Sequence, residues 1–317
     1  MRPMLKKRER YRSFEDFLIA KKTIAFIVIR NDSILYENYF NGSSREDPHC
    51  VFSISKSIVG LLTGIAYNDR MIRDLNEPLH HYIPSFATDD RAGITWYHVL
   101  NMTSGFNFND YVSFGKIIRM YYENNLDDYI KRMNMKFAPG SEFIYKSFDT
   151  QVLGYCLEKA TRQSISTLLE QKLWQKMGME FDASWSTDRY LGRAKMFGGL
   201  NLRSIDLAKF GKLMIDRGTW NGEQLVNKYW VDECFSREQK AGKYFKYALG
   251  WWHLTRKTDG GSKKAKDLIA QGLRGQVLYI HPEKKIIIIR QGTDKAEIDW
   301  DLNMHRLAEM LQPEISP

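Results

Sequence analysis

Phe52-Ser53-Ile54-Ser55-Lys56-Ser57-Ile58-Val59-Gly60 sets three serines and a lysine at the head of an apolar-periodic run. Ile54, Ile58, Leu61, Leu62 and Ile65 recur at the spacing of one helical stripe. Ser53, Lys56, Gly60, Thr63 and Gly64 fall on a second face, small and partly polar. Ser53 and Lys56 are one turn apart on that face, which can pack on a strand while its first turn stays open. Two readings of Ser53 compete. It can cap the helix. It can also be a nucleophile, because a lysine within hydrogen-bond reach can take the proton that a serine hydroxyl barely releases at neutral pH. Desolvation and the positive end of the helix favour a neutral lysine, and the Ser53 N–H at the helix start is a ready oxyanion donor. Ser-x-x-Lys also arises by chance. Ser113-Phe-Gly-Lys116 repeats it, and there Ser113 reads as an N-cap. On this stretch alone, capping and catalysis are level.

Outward from the helix, residues 23–30 (TIAFIVIR) and 33–40 (SILYENYF) flank Asn31-Asp32 and read as a β-hairpin. Residues 246–254 (KYALGWWHL) read as one strand, on which Trp251 and Trp252 face opposite ways. Residues 276–280 and 285–290 read as two more strands, joined at His281-Pro282-Glu283-Lys284. An amphipathic segment at 296–311 carries Trp300, Met304, Leu307 and Leu311 in helical spacing. Between about 54 and 235 the periodicity is helical, with Ser204 expected to cap 205–216 and Gly218 to end that helix. The expected class is α+β, with the terminal strands meeting in one antiparallel sheet flanked by helices and a mainly helical lobe beside it. The expected division is an α/β lobe of about 15–66 and 195–317 and a helical lobe of about 67–194, in a single unit spanning 1–317. A ligand cleft is expected between the lobes.

The 317 residues are 43% hydrophobic and 27% charged, with a formal net charge of +9. That is ordinary globular composition, ample for a buried core. The basic residues form short patches, Lys6-Lys7-Arg8, Lys263-Lys264-Ala265-Lys266 and Lys284-Lys285, rather than the continuous stripe of a nucleic-acid surface. No apolar run has transmembrane length, and the basic start lacks the apolar core of a signal peptide. The chain as written reads as cytoplasmic; a preceding leader would make it periplasmic or exported. Cys50, Cys156 and Cys234 are too far apart for a zinc or redox pair and read as buried thiols. His80-His81 has no matching ligand pattern and reads as a surface feature. There is no Gly-x-Ser-x-Gly elbow, phosphate-binding loop or His-Glu-x-x-His. No metal or cofactor is implied, and oligomeric state is open.

Further segments resemble one family, the serine β-lactamase and penicillin-binding superfamily, in its class C-like branch of esterases, D-amino-acid peptidases and linear nylon-oligomer hydrolases. The resemblance runs from about residue 23 to 311. Phe52-Ser-Ile-Ser-Lys-Ser57 resembles the nucleophile motif, and Ile94-Thr-Trp-Tyr-His-Val-Leu-Asn-Met-Thr-Ser-Gly105 a structural segment. Phe143-Ile-Tyr-Lys-Ser-Phe-Asp-Thr-Gln-Val-Leu-Gly154 resembles the Tyr-x-Asn or Tyr-x-Ser element and its following helix. Gln271-Gly-Leu-Arg-Gly-Gln276, opening a strand, is similar to the third motif.

The resemblance implies an acyl-enzyme hydrolase acting on a small ester, amide or peptide-like substrate, or a penicillin-binding or sensor-type protein that is acylated with little turnover. It implies catalytic roles for Ser53, Lys56 and Tyr145, with the Ser53 and Leu273 N–H groups as oxyanion donors. Beside a protonated Lys56 the Tyr145 phenolate is expected to be stabilised and to serve as base, the first proton acceptor of the two being open. Ser147 is expected on the lysine or the substrate. Gly272 is expected to let a substrate carbonyl reach the strand edge, and Tyr111, in the loop FNFNDY, to contact substrate. The third motif usually begins with Lys or His. Here Ala270 stands there, which favours esters or linear amides over β-lactams; nearby Arg274 reads first as a surface arginine, with a replacement cation as the alternative.

Overall fold

The computed structural model of the chain describes residues 11–111, 114–236, 239–240, 245–254 and 267–311. The basic patches at 6–8 and 263–266, and Ser113, lie outside these. The helix α1 (Phe14–Ala20), capped by Ser13, leads into the hairpin of β1 (Thr23–Arg30) and β2 (Ser33–Tyr39). Asn31 and Asp32 turn it with φ of 47° and 64°, the left-handed pair of a type I′ turn. After β3 (His49–Cys50) and α2 (Ile54–Asn68) come α3 (Trp96–Leu100), α4 (Phe114–Tyr121), α5 (Leu126–Lys131), α6 (Ser147–Thr161) and α7 (Ile165–Leu169). Next are β4 (Ser184–Trp185), β5 (Leu200–Leu202), α8 (Ser204–Ile215), β6 (Thr219–Trp220), β7 (Glu223–Gln224) and α9 (Lys228–Ser236). The chain then returns to strands: β8 (Gln239–Lys240), β9 (Phe245–Ala248), β10 (Trp251–Leu254), β11 (Leu268–Gly272), β12 (Gln276–His281) and β13 (Ile286–Gly292), before α10 (Trp300–Met310).

The main sheet runs β2-β1-β13-β12-β11-β10-β9-β8, antiparallel throughout. The expected meeting of the two ends lies inside this sheet, where Ala25 pairs with Gln291 and Arg30 with Ile286. Helices cover both faces. Ile27, Leu268, Ala270, Leu278, Ile287 and Ile289 join the core built around α2, α6 and α8. Phe26, Val28, Ile269, Val277, Tyr279, Ile286 and Ile288 face α1 and α10, meeting Leu18, Trp300, Met304 and Ala308. Burial on both faces explains why β1 and β13 read as unbroken apolar runs rather than as an alternation. Trp251 lies in the first core and Trp252 in the second, on opposite faces.

Three local expectations change. Residues 246–254 form not one strand but the β9–β10 hairpin, turned at Leu249 (φ 51°) and Gly250 (φ 95°). The third motif does not open a strand: it ends β11 and makes the short turn Leu273–Gly275 into β12. Ser204 is the first residue of α8 rather than its cap, which is Arg203, and its hydroxyl donates to Gln291 Oε1 in β13. Cys156 and Cys234 are buried, Cys50 only partly, and none of the three forms a disulfide. Among the described residues no helix is long and apolar enough to cross a membrane.

Candidate active site

Ser53 immediately precedes α2, with φ −66° and ψ −8°, and its side chain makes no capping hydrogen bond. The capping reading therefore fails. Phe52 before it has φ 47°, a left-handed conformation that costs a side-chain-bearing residue about 1 kcal/mol or more. The bend is stitched by the Ser55 hydroxyl, which donates to the Phe52 carbonyl at 2.6 Å. α2 is buried on every side from Ile54 to Ala66, so its small polar face is not open. It lies under the β9–β10 turn: a Cβ on Gly60 would stand 2.4 Å from the Leu249 carbonyl oxygen, and the Ser57 hydroxyl donates to the Gly250 carbonyl at 2.6 Å.

The Lys56 amine lies 2.8 Å from Ser53 Oγ and donates to the Phe197 carbonyl at 2.6 Å, with 2% of the residue exposed. Burial lowers its pKa to about 8, against the opposing pull of the Asp110 carboxylate. Tyr145, 8% exposed, places its ring centroid 5.3 Å from Lys56 Nζ. Burial, and next Tyr247, hold the Tyr145 phenol well above its ordinary pKa, and a hydrogen bond with Ser53 only partly offsets them. The direction runs against a stabilised phenolate, and its largest cause is desolvation. The Tyr145 ring makes tilted contacts with Trp252 at 5.1 Å and Tyr111 at 5.9 Å, with Tyr247 edge-on at 5.7 Å.

Ser147 begins α6, but its hydroxyl is not directed to Lys56. The hydroxyl donates to Asp110 Oδ2 at 2.5 Å, and its N–H to Asp110 Oδ1 at 2.7 Å. Asp110 was missed in the sequence, although it precedes Tyr111 in the quoted loop; an acidic loop residue alone carries no signal of a helix start far along the chain. Asp110 N–H also donates to the Tyr145 carbonyl at 3.4 Å. Behind them Lys146 is fully buried, with Nζ 3.7 Å from Asp149 Oδ2, and Asp149, pushed up to about 6 by burial, accepts from the Ser104 hydroxyl at 2.6 Å. The Thr103-Ser104-Gly105 segment is thus structural, as its resemblance implied.

The end of β11 lies against the segment before Ser53. A Cβ on Gly272 would stand 2.3 Å from the Val51 carbonyl oxygen, so it is the chain's own backbone that requires glycine here. Leu273, 57% exposed, follows at the turn. Ala270, 1% exposed, faces the helical core. Tyr111 is 74% exposed, its ring centroid 5.9 Å from that of Tyr145. His80 and His81 lie on a short turn, with ring nitrogens bonded to the Ala92 carbonyl and to Glu77. The arrangement thus offers a hydroxyl flanked by a buried amine and a protonated phenol, under a strand end.

A family model described as Beta-lactamase matches residues 14–298. The 6-aminohexanoate-dimer hydrolase of Paenarthrobacter ureafaciens is 27% identical over 283 residues, spanning 84% of this chain and 72% of that protein. A Bacillus anthracis structure, named provisionally as a 6-aminohexanoate-dimer hydrolase, superposes with a TM-score of 0.81 at 22% identity, covering 95% of this chain and 82% of that one. A penicillin binding protein from Bacillus halodurans superposes with a TM-score of 0.74 at 14% identity, covering 94% and 100%. EstCE1, described as a hydrolase with promiscuous acyltransferase activity, gives 0.72 at 14% identity, covering 87% and 90%.

Proposed function

The chain belongs to the Beta-lactamase family and is a serine hydrolase of that fold, and from this premise we propose that Ser53, Lys56 and Tyr145 carry acyl-enzyme chemistry on a linear ester or amide. The observation that carries the reading is the 2.8 Å approach of the Lys56 amine to Ser53 Oγ in a buried setting that lowers the lysine to about 8. At that pKa an appreciable fraction of Lys56 is neutral near neutral pH and can accept the Ser53 proton as Oγ attacks the carbonyl. Tyr145, held well above its ordinary range, keeps its proton and can give it to the departing nitrogen or oxygen, taking a proton back from Lys56. The Ser53 and Leu273 N–H groups are the proposed donors to the tetrahedral oxyanion. Lys56, neutral again, then activates the water that releases the acid. The opposite shifts of the two groups support Lys56 as the first acceptor.

Ala270 supports esters and linear amides over β-lactams, because its buried methyl leaves the strand without a cation for a lactam carboxylate. A panel of 4-nitrophenyl esters, 6-aminohexanoate dimer and a chromogenic cephalosporin tests this order of preference. Ser53→Ala is expected to lower ester hydrolysis at least about a thousandfold. Unchanged hydrolysis by that variant would refute the assignment. A stable fluorophosphonate adduct on Ser53 without steady turnover of any panel member would favour a protein that is acylated and holds its acyl group.

A further inference from the structure

Lys56 Nζ is held by two oxygens, Ser53 Oγ at 2.8 Å and the Phe197 carbonyl at 2.6 Å. The first is the reacting group, so the carbonyl is what aims the amine. That carbonyl sits in a segment with little stiffness of its own, because Gly198 and Gly199 follow it. Residues 197–200 nevertheless wrap the nucleophile turn closely. The Leu200 carbonyl accepts from the Val51 N–H at 3.0 Å, and the Leu200 N–H donates to the Ser55 hydroxyl at 3.4 Å. The Gly198 and Gly199 N–H groups both donate to the Lys195 carbonyl, at 3.1 and 2.7 Å. The Gly198 carbonyl is held instead by side chains.

Tyr121, the last residue of α4, supplies the stronger of these holds. Its hydroxyl donates to the Gly198 carbonyl at 2.9 Å, and its ring meets the Phe197 ring edge-on with centroids 4.8 Å apart. The Cys50 thiol donates to the same carbonyl at 3.3 Å, as a weaker donor. A Cβ on Gly198 would stand 2.6 Å from the Tyr121 hydroxyl oxygen, while its next neighbours lie at 3.6 Å, an ordinary contact. The hydroxyl thus takes the space that makes residue 198 a glycine, and it restores the order that the missing side chain forfeits. Burial pushes the Tyr121 phenol up, so the hydroxyl stays a donor over the range in which Lys56 titrates.

We propose that Tyr121 is a positioning residue for the hydrolysis: by pinning the Gly198 carbonyl it fixes the Phe197 carbonyl, and through it the direction of the Lys56 amine toward Ser53. This rests on the acyl-enzyme reading above. Tyr121→Phe keeps the ring on Phe197 and removes only the hydroxyl. Active Ser53 is counted by stoichiometric fluorophosphonate labelling. On that basis kcat for a 4-nitrophenyl ester is expected to fall about five- to tenfold, with KM changed less than about twofold. The Lys56 ammonium loses part of its hold on the Phe197 carbonyl, which favours the neutral amine, so the acid limb of kcat/KM should move down by about half a pH unit. Asp110 and Tyr145, which also face Lys56, are left in place by the substitution. Gly198→Ala pushes the hydroxyl aside and should reproduce the loss. Added to Tyr121→Phe, where no hydroxyl stands in the way, it should cost less than about a further twofold. A lower melting temperature with kcat and the acid limb both unchanged is what a tyrosine that only packs would give, and it overturns the proposal. Losses that multiply in the double variant overturn it as well. Ser53→Ala separates the two readings: if it still hydrolyses the ester, the acyl-enzyme reading has failed, whereas an inactive Ser53→Ala beside a Tyr121→Phe with parental kcat and acid limb sinks only the role of Tyr121.

Discussion

Burial acts in opposite senses on Lys56 and Asp110: it lowers the first and raises the second, and each ion favours the other's charged form. Asp110 is therefore a brake on the loss of the Lys56 proton. In Asp110→Asn the brake is gone, Lys56 sheds its proton at lower pH, and the acid limb of the kcat/KM profile should move down by roughly one pH unit. The amide oxygen still accepts from the Ser147 N–H, so α6 keeps its start. An acid limb that stays in place, measured on a 4-nitrophenyl ester, would show that it does not report Lys56. The meeting of Ser53, Lys56 and Tyr145 was legible because each lies in a short local motif. Asp110 was not, because its bond to Ser147 spans 37 residues and leaves no periodic trace. Ser147 was found in the right place with the wrong partner, since spacing locates a hydroxyl without orienting it.

α2 packs closely on the sheet because small residues let a turn lie across it. Gly60 and Ser57 receive the carbonyls of Leu249 and Gly250 where larger side chains would hold them off. Gly60→Ala would set a Cβ 2.4 Å from the Leu249 oxygen, backbone that cannot rotate away. Although alanine is the better helix former, we expect a loss of roughly 2–3 kcal/mol in urea unfolding, with activity falling as Ser53 shifts. A Gly60→Ala variant as stable as the parent would mean that the β9–β10 turn is free to retreat. The helix was legible from its apolar stripe. The turn above it was not, because the alternation of 246–254 continues through Leu249, whose positive φ no side-chain pattern announces. Gly250 was the available signal, an isolated glycine in a strand pattern marking a close backbone approach.

At the scale of the molecule, Arg290 gathers distant segments. Fully buried, it donates to the carbonyls of Lys21, Arg274, Gly275 and Asp294 and to the Thr23 hydroxyl, with the Trp300 ring centroid 4.2 Å from its guanidinium. Arg290→Met would strip these carbonyls of their donor, and we expect a loss of roughly 3–5 kcal/mol. Calorimetry checks it; an unchanged melting temperature would mean that water replaces the guanidinium at no cost. The joining of the two ends in one sheet was legible, because apolar strands at both ends need partners. The arginine at its seam was not, because a charged residue closing KIIIIR reads as the solvated end of a strand. That seam also sets a schedule for synthesis. β1 emerges from the ribosome early and can pair at once with β2, but Ala25 must wait for Gln291, on the order of tens of seconds of translation. Until then TIAFIVIR is an apolar, β-branched segment with one edge open, the composition most prone to cross-chain pairing. The nascent chain cannot complete its sheet a piece at a time, so its yield in a cell should depend on how well that strand is shielded during the wait.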